Sequence, residues 1–327
     1  LKSGAFIYST IRKFPEQFLI GYRSALETDL SSFRGKAFRR ILFAGMGGSS
    51  LPGDLINDTL SDSRPLRPIR NYRIPSDVGP DDLVIASSYS GNTEETIEAL
   101  QNGLQKKAAT LVLSHGGKLA EMALEKKIPL LRIPECIQPR CATGYFFGSL
   151  LALLEILGKT PPARQRLEKL QVFLEKEQER HEERGKSLAK SLNARVPLIY
   201  GPSELEGACR IWKIKFNENA KTQSFYNVFP ELNHNEMVGF THLDMNPSLI
   251  LLKSQFMHPR VVTRMEVMES ILGDKIPFHT LTLKGEDLLQ EMFDSLAVAD
   301  YASFYLAEEY GIDPAPVAMV EDFKKKL

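Results

Sequence analysis

Two short loops hold the side chains best suited to gripping a small anion. Gly45-Met46-Gly47-Gly48-Ser49-Ser50 leaves the apolar run Arg40 to Ala44, and Pro52 just beyond it suits the first turn of a helix. The loop is not a dinucleotide fingerprint, because Ser50 stands where a third glycine is needed. It also lacks the Gly-Lys-Ser/Thr ending of a P-loop. What it offers is backbone free to approach an anion at Gly47 and Gly48, a hydroxyl at Ser49, and the N–H groups of a helix start. The second loop, Ser87-Ser88-Tyr89-Ser90-Gly91-Asn92-Thr93, also leaves an apolar run and enters a helical pattern, with hydroxyls at Ser87, Ser88, Ser90 and Thr93. One hydroxyl is expected to cap the helix, a role worth about 1 kcal/mol. The others are then surplus to structure and available to a phosphate, which two helix starts can hold without a lysine.

The elements that must position these loops alternate. Arg40 to Ala44, Leu83 to Ala86, Ala109 to Leu113 and Ile128 to Ile133 read as buried strands, separated by helical patterns such as Thr93 to Gln105. Such alternation implies a parallel sheet covered on both faces, with the loops at the carboxyl ends of neighbouring strands meeting at one crevice. An opening helical segment over residues 4–32 reads as one lid helix with Phe14, Phe18, Tyr22 and Leu26 on its apolar stripe. Residues 159–195 open on Thr160-Pro161-Pro162 and continue as a charge-rich connecting helix whose stripe is Leu167, Leu170, Phe173 and Leu174. The pattern restarts at Val196 to Ser203, with later strands at Leu249 to Leu252 and Phe278 to Leu283 and a long helix from Glu286 to Tyr310. The expected organisation is an α/β fold of two doubly wound domains. An amino-terminal domain over 1–158 and a carboxyl-terminal domain over 196–327 are joined by the connecting helix.

The two loops resemble the phosphate-binding loops of the sugar-isomerase (SIS) domain, a doubly wound, flavodoxin-like fold. Three further motifs resemble those of the bifunctional phosphoglucose/phosphomannose isomerases: Pro139-Arg140 before an apolar helix, Phe216-Asn217-Glu218-Asn219-Ala220-Lys221, and Phe229-Pro230-Glu231-Leu232-Asn233-His234-Asn235-Glu236. The resemblance implies interconversion of glucose 6-phosphate and fructose 6-phosphate, and of mannose 6-phosphate, through an enediol. It implies Glu218 as the base moving a proton between C1 and C2, and His234 as the group that opens the sugar ring. Arg140 then faces the enediolate, and Lys324 reaches in from the last helix. The phosphate would fall to Gly47, Gly48, Ser49, Ser88, Ser90 and Thr93. It also implies a homodimer in which His234 serves the partner subunit's site. Apart from the resemblance, Glu218 is flanked by two amides that form helix poorly. His234 lies between Asn233 and Asn235, which are able to fix its tautomer. One departure stands out: relatives carry a threonine in the turn before the last helix, and here the turn reads Asp313-Pro314-Ala315-Pro316-Val317.

Composition narrows the alternatives. With 41 basic and 41 acidic residues in 327, the chain has no overall field for nucleic acid or an anionic membrane. At 43% hydrophobic and 25% charged it reads as an ordinary globular protein, long enough for two cores. The cysteines Cys136, Cys141 and Cys209 lack metal-ligand or CxxC spacing and read as buried small hydrophobes in a reducing compartment. No His/Asp/Glu cluster has ligand spacing, so neither metal nor other cofactor is expected. The start shows no charged region followed by an apolar core, and a cytoplasmic protein is expected. The remaining rival is a sugar-phosphate sensor that binds without turnover; such sensors usually pair one SIS domain with a DNA-binding segment, which this chain does not display.

Overall fold

The computed structural model describes residues 2–326. The chain opens with α1 (Lys2–Arg12) and α2 (Phe14–Leu26). The lid is therefore two helices, not one, with a break at Lys13 (φ −90°, ψ 0°) just ahead of Pro15, whose ring fits only the first turn of a helix. The chain forms two compact units. One runs from Lys13 to Phe173, and the other combines the residues up to Arg12 with those from Leu174 onward.

In the Lys13–Phe173 unit, β1 (Arg40–Gly45), β2 (Leu66–Ile69), β3 (Asp82–Ser87), β4 (Ala109–Ser114) and β5 (Leu130–Arg132) form one sheet in the order β2-β1-β3-β4-β5, every pairing parallel. This is the flavodoxin-like order, whose switch point lies between its first and third strands. The register sets Gly45 opposite Ser87, so the loops after β1 and β3 leave the sheet side by side at the same level. All six residues of β3 are buried, as an unalternating apolar strand in a two-faced parallel sheet must be. The helices are α3 (Leu51–Thr59), α4 (Glu94–Gln105), α5 (Gly117–Glu125) and α6 (Thr143–Ile156). Leu42, Ala44 and Val84 pack with Ala99 of α4, while Ala86 and Val112 pack with Leu100 of α4 and Leu119 of α5.

The connecting segment holds two helices, α7 (Arg164–Lys176) and α8 (Gln178–Leu192), separated at Glu177. The carboxylate of Glu177 turns back to Arg180 at 2.5 Å and reaches Lys284 at 3.2 Å. In the other unit β6 (Val196–Pro202), β7 (Phe225–Phe229), β8 (Pro247–Lys253) and β9 (Phe278–Thr282) pair in parallel in the order β7-β6-β8-β9. That is the first sheet's order without its fifth strand. The helices are α9 (Glu206–Glu218), α10 (Pro259–Leu272), α11 (Leu288–Glu309) and α12 (Ala318–Lys324). Tyr200, Phe229, Leu251 and Met268 are among the residues of this unit's core. Asp287 caps α11 by accepting from the Gln290 N–H at 2.9 Å, and most of that helix is buried. Among the described residues, no helix is long and apolar enough to cross a membrane.

Candidate active site

The loops after β1 and β3 are built into one another. Ser49 is buried; its hydroxyl accepts the Tyr89 N–H at 2.9 Å, and its carbonyl accepts the Ser87 hydroxyl at 2.8 Å. The hydroxyl proton of Ser49 is left over. Ser88 is buried too, with its Oγ 2.8 Å from Thr93 Oγ1, 3.5 Å from Ser90 Oγ and accepting from the Gly91 N–H at 3.2 Å. Thr93 occupies the cap position of α4 in extended geometry (φ −72°, ψ 117°), yet makes no capping hydrogen bond. The expectation that one hydroxyl would be consumed by capping is therefore corrected: Thr93 turns to Ser88 instead. Ser50, at the equivalent place before α3, donates to the Gly47 carbonyl at 3.0 Å and likewise caps nothing. Two helix starts thus keep first-turn N–H groups without a side-chain acceptor, beside hydroxyls that can donate, which is the chemistry an oxyanion takes up.

Arg140 joins this cluster through the backbone. It is buried, in the short turn Pro139–Cys141 that leads into α6. A Cβ added to Gly48 would lie 2.8 Å from the Arg140 nitrogen and 2.9 Å from the Pro139 carbonyl carbon, so only glycine lets loop and turn approach this closely. From the other side α2 holds the turn: buried Gln17 donates to the Cys141 carbonyl at 2.8 Å and accepts from the Gly144 N–H at 3.1 Å. Tyr89, which the sequence reading passed over, is a further support. Its hydroxyl donates to the Cys136 carbonyl at 2.7 Å and accepts from the Cys136 N–H at 2.5 Å, while its ring stacks on His115. Burial raises its pKa, so the donating proton stays in place at neutral pH. The segment carrying Arg140 is therefore held from both ends. Cys136 and Cys141 are half-buried in it, not fully buried as expected; Cys209 is fully buried.

The other unit carries Glu218, His234 and Lys324. Glu218 is the last residue of α9 and is half-buried. The helix end is fixed by its neighbours: Asn217 donates to the Thr222 carbonyl at 2.8 Å, and buried Asn219 donates to the Ser303 hydroxyl at 2.9 Å. Lys221 was missed in the sequence. In a left-handed conformation (φ 54°), it donates both to the Glu218 carbonyl at 2.5 Å and to the Pro314 carbonyl at 3.1 Å, tying the end of α9 to the turn before α12. A lysine three residues past a helix's last acid was the available signal, since such side chains serve the final carbonyls.

His234 ends the short helical stretch Glu231–His234 and is exposed. The flanking amides do not orient it: Asn233 donates to Met237 Sδ and accepts from Arg264, and Asn235 donates to Glu231 at 2.8 Å. The tautomer argument is thereby corrected, because both amides brace their own loop. Glu236 of the same motif is bound by the Tyr200 hydroxyl and the Asn227 amide. Lys324 closes α12, a helix without a buried residue, and is itself exposed. Ala315 is buried, its N–H donating to Asp313 Oδ1 at 2.9 Å, and half-buried Val317 precedes α12. The structure thus gathers the hydroxyl loops with Arg140 in one unit and carries Glu218, His234 and Lys324 in the other.

Residues 181–327 match the family described as bacterial phospho-glucose isomerase C-terminal SIS domain. The tagatose-6-phosphate ketose/aldose isomerase of Escherichia coli shares the fold, with a TM-score of 0.69 over 95% of this chain and 94% of that one at 17% identity. Fold and loops define a protein of two sugar-isomerase domains. The sequence is 33% identical, over 98% of both chains, to the bifunctional phosphoglucose/phosphomannose isomerase of Caldicellulosiruptor bescii. It is 30% identical, again over 98% of both, to that of Aquifex aeolicus. The chain belongs to the bifunctional phosphoglucose/phosphomannose isomerase family.

Proposed function

We infer that this protein interconverts glucose 6-phosphate and fructose 6-phosphate and also takes mannose 6-phosphate, by proton transfer through an enediol. The observation that carries the reading is the pair of uncapped helix starts ringed by Ser49, Ser88, Ser90 and Thr93, in a chain whose near full-length relatives are named for this isomerisation. The loops bind the phosphate and spend little on the reacting carbons. Glu218 carries the proton between C1 and C2, and an anchored helix end suits a base that must meet two adjacent carbons in turn. Arg140 stabilises the charge that develops on the enediolate, where a fixed cation is worth more in the transition state than in the ground state. His234 opens the ring, and Lys324 is the last helix's contribution.

The working unit we propose is a homodimer in which His234 serves the partner's site. Its exposure in its own chain supports this, as do the exposed apolar side chains of Met319 and Phe323 on α12, which a second copy could cover. The test is Glu218→Gln, which should bind a phosphorylated sugar acid as wild type does while losing turnover by about 10²-fold or more. Residual activity above a tenth of wild type removes Glu218 from the role. Mixing that variant with inactive His234→Ala, after dissociation and reassociation, should restore sites holding both wild-type groups. No recovery in verified mixed dimers means that each site is complete in one chain.

A further inference from the structure

We propose a second anion site, at the end of the first sheet opposite the hydroxyl loops, that takes a small phosphorylated metabolite carrying two or more negative charges. Arg40 opens β1 and Gly45 closes it, so roughly 16 Å of strand separates this place from the loop at Gly47. A cavity of about 330 Å³ lies there, lined by Arg39, Arg40, Arg64, Arg67 and Lys159, with the buried ring of Phe38. That volume is at the small end of ligand pockets, about 300–1,000 Å³, and suits a compact metabolite.

The charges do not cancel. Arg39 and Arg40 both grip the buried carboxylate of Asp82, at 2.7 and 2.9 Å, and Arg40 also pairs with Asp77 at 2.8 Å. Those contacts fix the two guanidinium groups at the cavity wall. Among the described residues, Arg64, Arg67 and Lys159 have no carboxylate within ion-pair distance. Three exposed cations therefore line one small cavity without a counterion among the described residues, although the protein as a whole is neutral. A concave wall focuses such a field on whatever enters.

The backbone adds a second observation. Arg64 lies five residues past the end of α3, in a left-handed conformation (φ 37°), its N–H bonded to the Leu60 carbonyl at 2.8 Å. Glycine is the usual residue in that conformation, because a side chain there costs about 1–2 kcal/mol. Here the strained position is filled by an arginine whose side chain lines the cavity. Among the described residues, that side chain makes no hydrogen bond or ion pair.

The same strain supplies a clean perturbation. Arg64→Gly relieves the backbone while removing one charge, so folding is preserved. Inorganic pyrophosphate titrated calorimetrically into the full-length protein should bind one more equivalent per chain in wild type than in Arg64→Gly/Arg67→Thr/Lys159→Gln. The extra equivalent should weaken as ionic strength rises, and Arg64→Gly alone should weaken it about tenfold. Turnover of fructose 6-phosphate should be unchanged in the triple variant, which touches no residue of the hydroxyl loops. The stoichiometric difference is independent of how many equivalents the loops themselves bind, so failure of the loop assignment leaves it readable. Equal stoichiometry and affinity in both proteins overturns the proposal. So does binding of a short DNA duplex that the triple variant loses while pyrophosphate binds neither protein, since the patch would then serve nucleic acid.

Discussion

Gly48→Ala tests whether the loop after β1, where a phosphate is proposed, and the Arg140 turn act as one object. The added methyl would sit 2.8 Å from the Arg140 nitrogen, 2.9 Å from the Pro139 carbonyl carbon and 3.1 Å from the Arg140 Cα, all backbone atoms. Restoring ordinary contact requires the loop and the turn to part by roughly 0.6 Å or more. The turn cannot yield freely, because Gln17 bonds both the Cys141 carbonyl and the Gly144 N–H. The loop is tied too, through Ser49 to the Tyr89 N–H. Overpacking of this kind costs about 1–3 kcal/mol of stability. The catalytic cost is larger, since misplacement by about 1 Å can lower a rate by 10²-fold. Gly48→Ala should therefore lose one to two orders of magnitude in kcat/KM, read in a coupled assay converting fructose 6-phosphate to glucose 6-phosphate. The control is Gly47→Ala, one residue earlier, where the new methyl meets nothing within 4 Å and only the left-handed φ of 49° is strained. That variant should lose about 1–2 kcal/mol of stability and, because Gly47 borders the proposed phosphate position, show its effect in KM with kcat near wild type. Equal losses of kcat in the two variants, or a Gly48→Ala enzyme with wild-type kcat/KM, would refute the idea that close approach to Arg140 matters.

Ser90→Ala and Thr93→Ala should raise KM more than they lower kcat, each lost contact to a charged phosphate being worth about 1.5–3 kcal/mol; Thr93→Ala should be the more damaging, because it also deprives Ser88 of its partner. Unchanged affinity of both variants for a phosphorylated sugar acid would move the phosphate elsewhere. Asp82→Asn should cost about 3 kcal/mol at pH 7, below the full range for a buried pair because both arginines are partly exposed. Arg40 and Arg39 hold the Asp82 carboxyl well below its ordinary value near 3.9, so its contribution is complete above about pH 4 and fades as the pH falls through the folded value. Urea midpoints of wild type and Asp82→Asn should accordingly converge in acid, and a gap that stays constant to pH 2 would exclude the linkage. Ala315→Thr and Val317→Thr, made separately, should raise the mannose-to-glucose product ratio at whichever position borders C2–C3, with a 1.4 kcal/mol barrier difference changing the ratio about tenfold. If neither moves it, the missing threonine does not govern rotation of the intermediate.

The central strands were legible because burial on both faces forces continuous apolar runs: β1, β3, β4, β6 and β8 all fall where Ile, Leu and Val cluster. The edges were not. Leu66–Ile69 has two exposed positions of its four, and Phe225–Phe229 is buried only at Phe229, so neither shows the signal that reveals a central strand. The loops stood out because they hold more hydroxyls than one cap needs, although Ser49, Ser87, Ser88 and Thr93 also wire the loops together. Their actual wiring was not, since the bond from Ser49 to Tyr89 spans 40 residues and the grip of Gln17 on the Arg140 turn spans more than a hundred. Local pattern reports what a residue can do; the partner that keeps it from doing otherwise comes from elsewhere in the chain.

The repeated topology bears on why the proposed anion site falls in the first unit. In strand order β8 stands to β6 as β3 stands to β1, so the segment after β8, Ser254-Gln255-Phe256, is the second unit's counterpart of the Ser88 loop. It too offers a hydroxyl and backbone amides at the carboxyl end of a central strand. Here, however, the Ser254 hydroxyl donates to Glu291, the Gln255 N–H donates to the same carboxylate at 3.2 Å, and the Phe256 N–H donates to Ser254 Oγ at 3.0 Å. Glu291 is fully buried on α11, and that burial raises its pKa. A carboxyl group from the protein's own central helix thus occupies the donors that a phosphate would need. The first unit has no such tenant among the hydrogen bonds of Ser88, Ser90 and Thr93, whose partners are one another and backbone N–H groups. Two sheets of one order therefore differ at this loop by a single acid 37 residues from the segment it fills, a distance over which no local motif could have announced it.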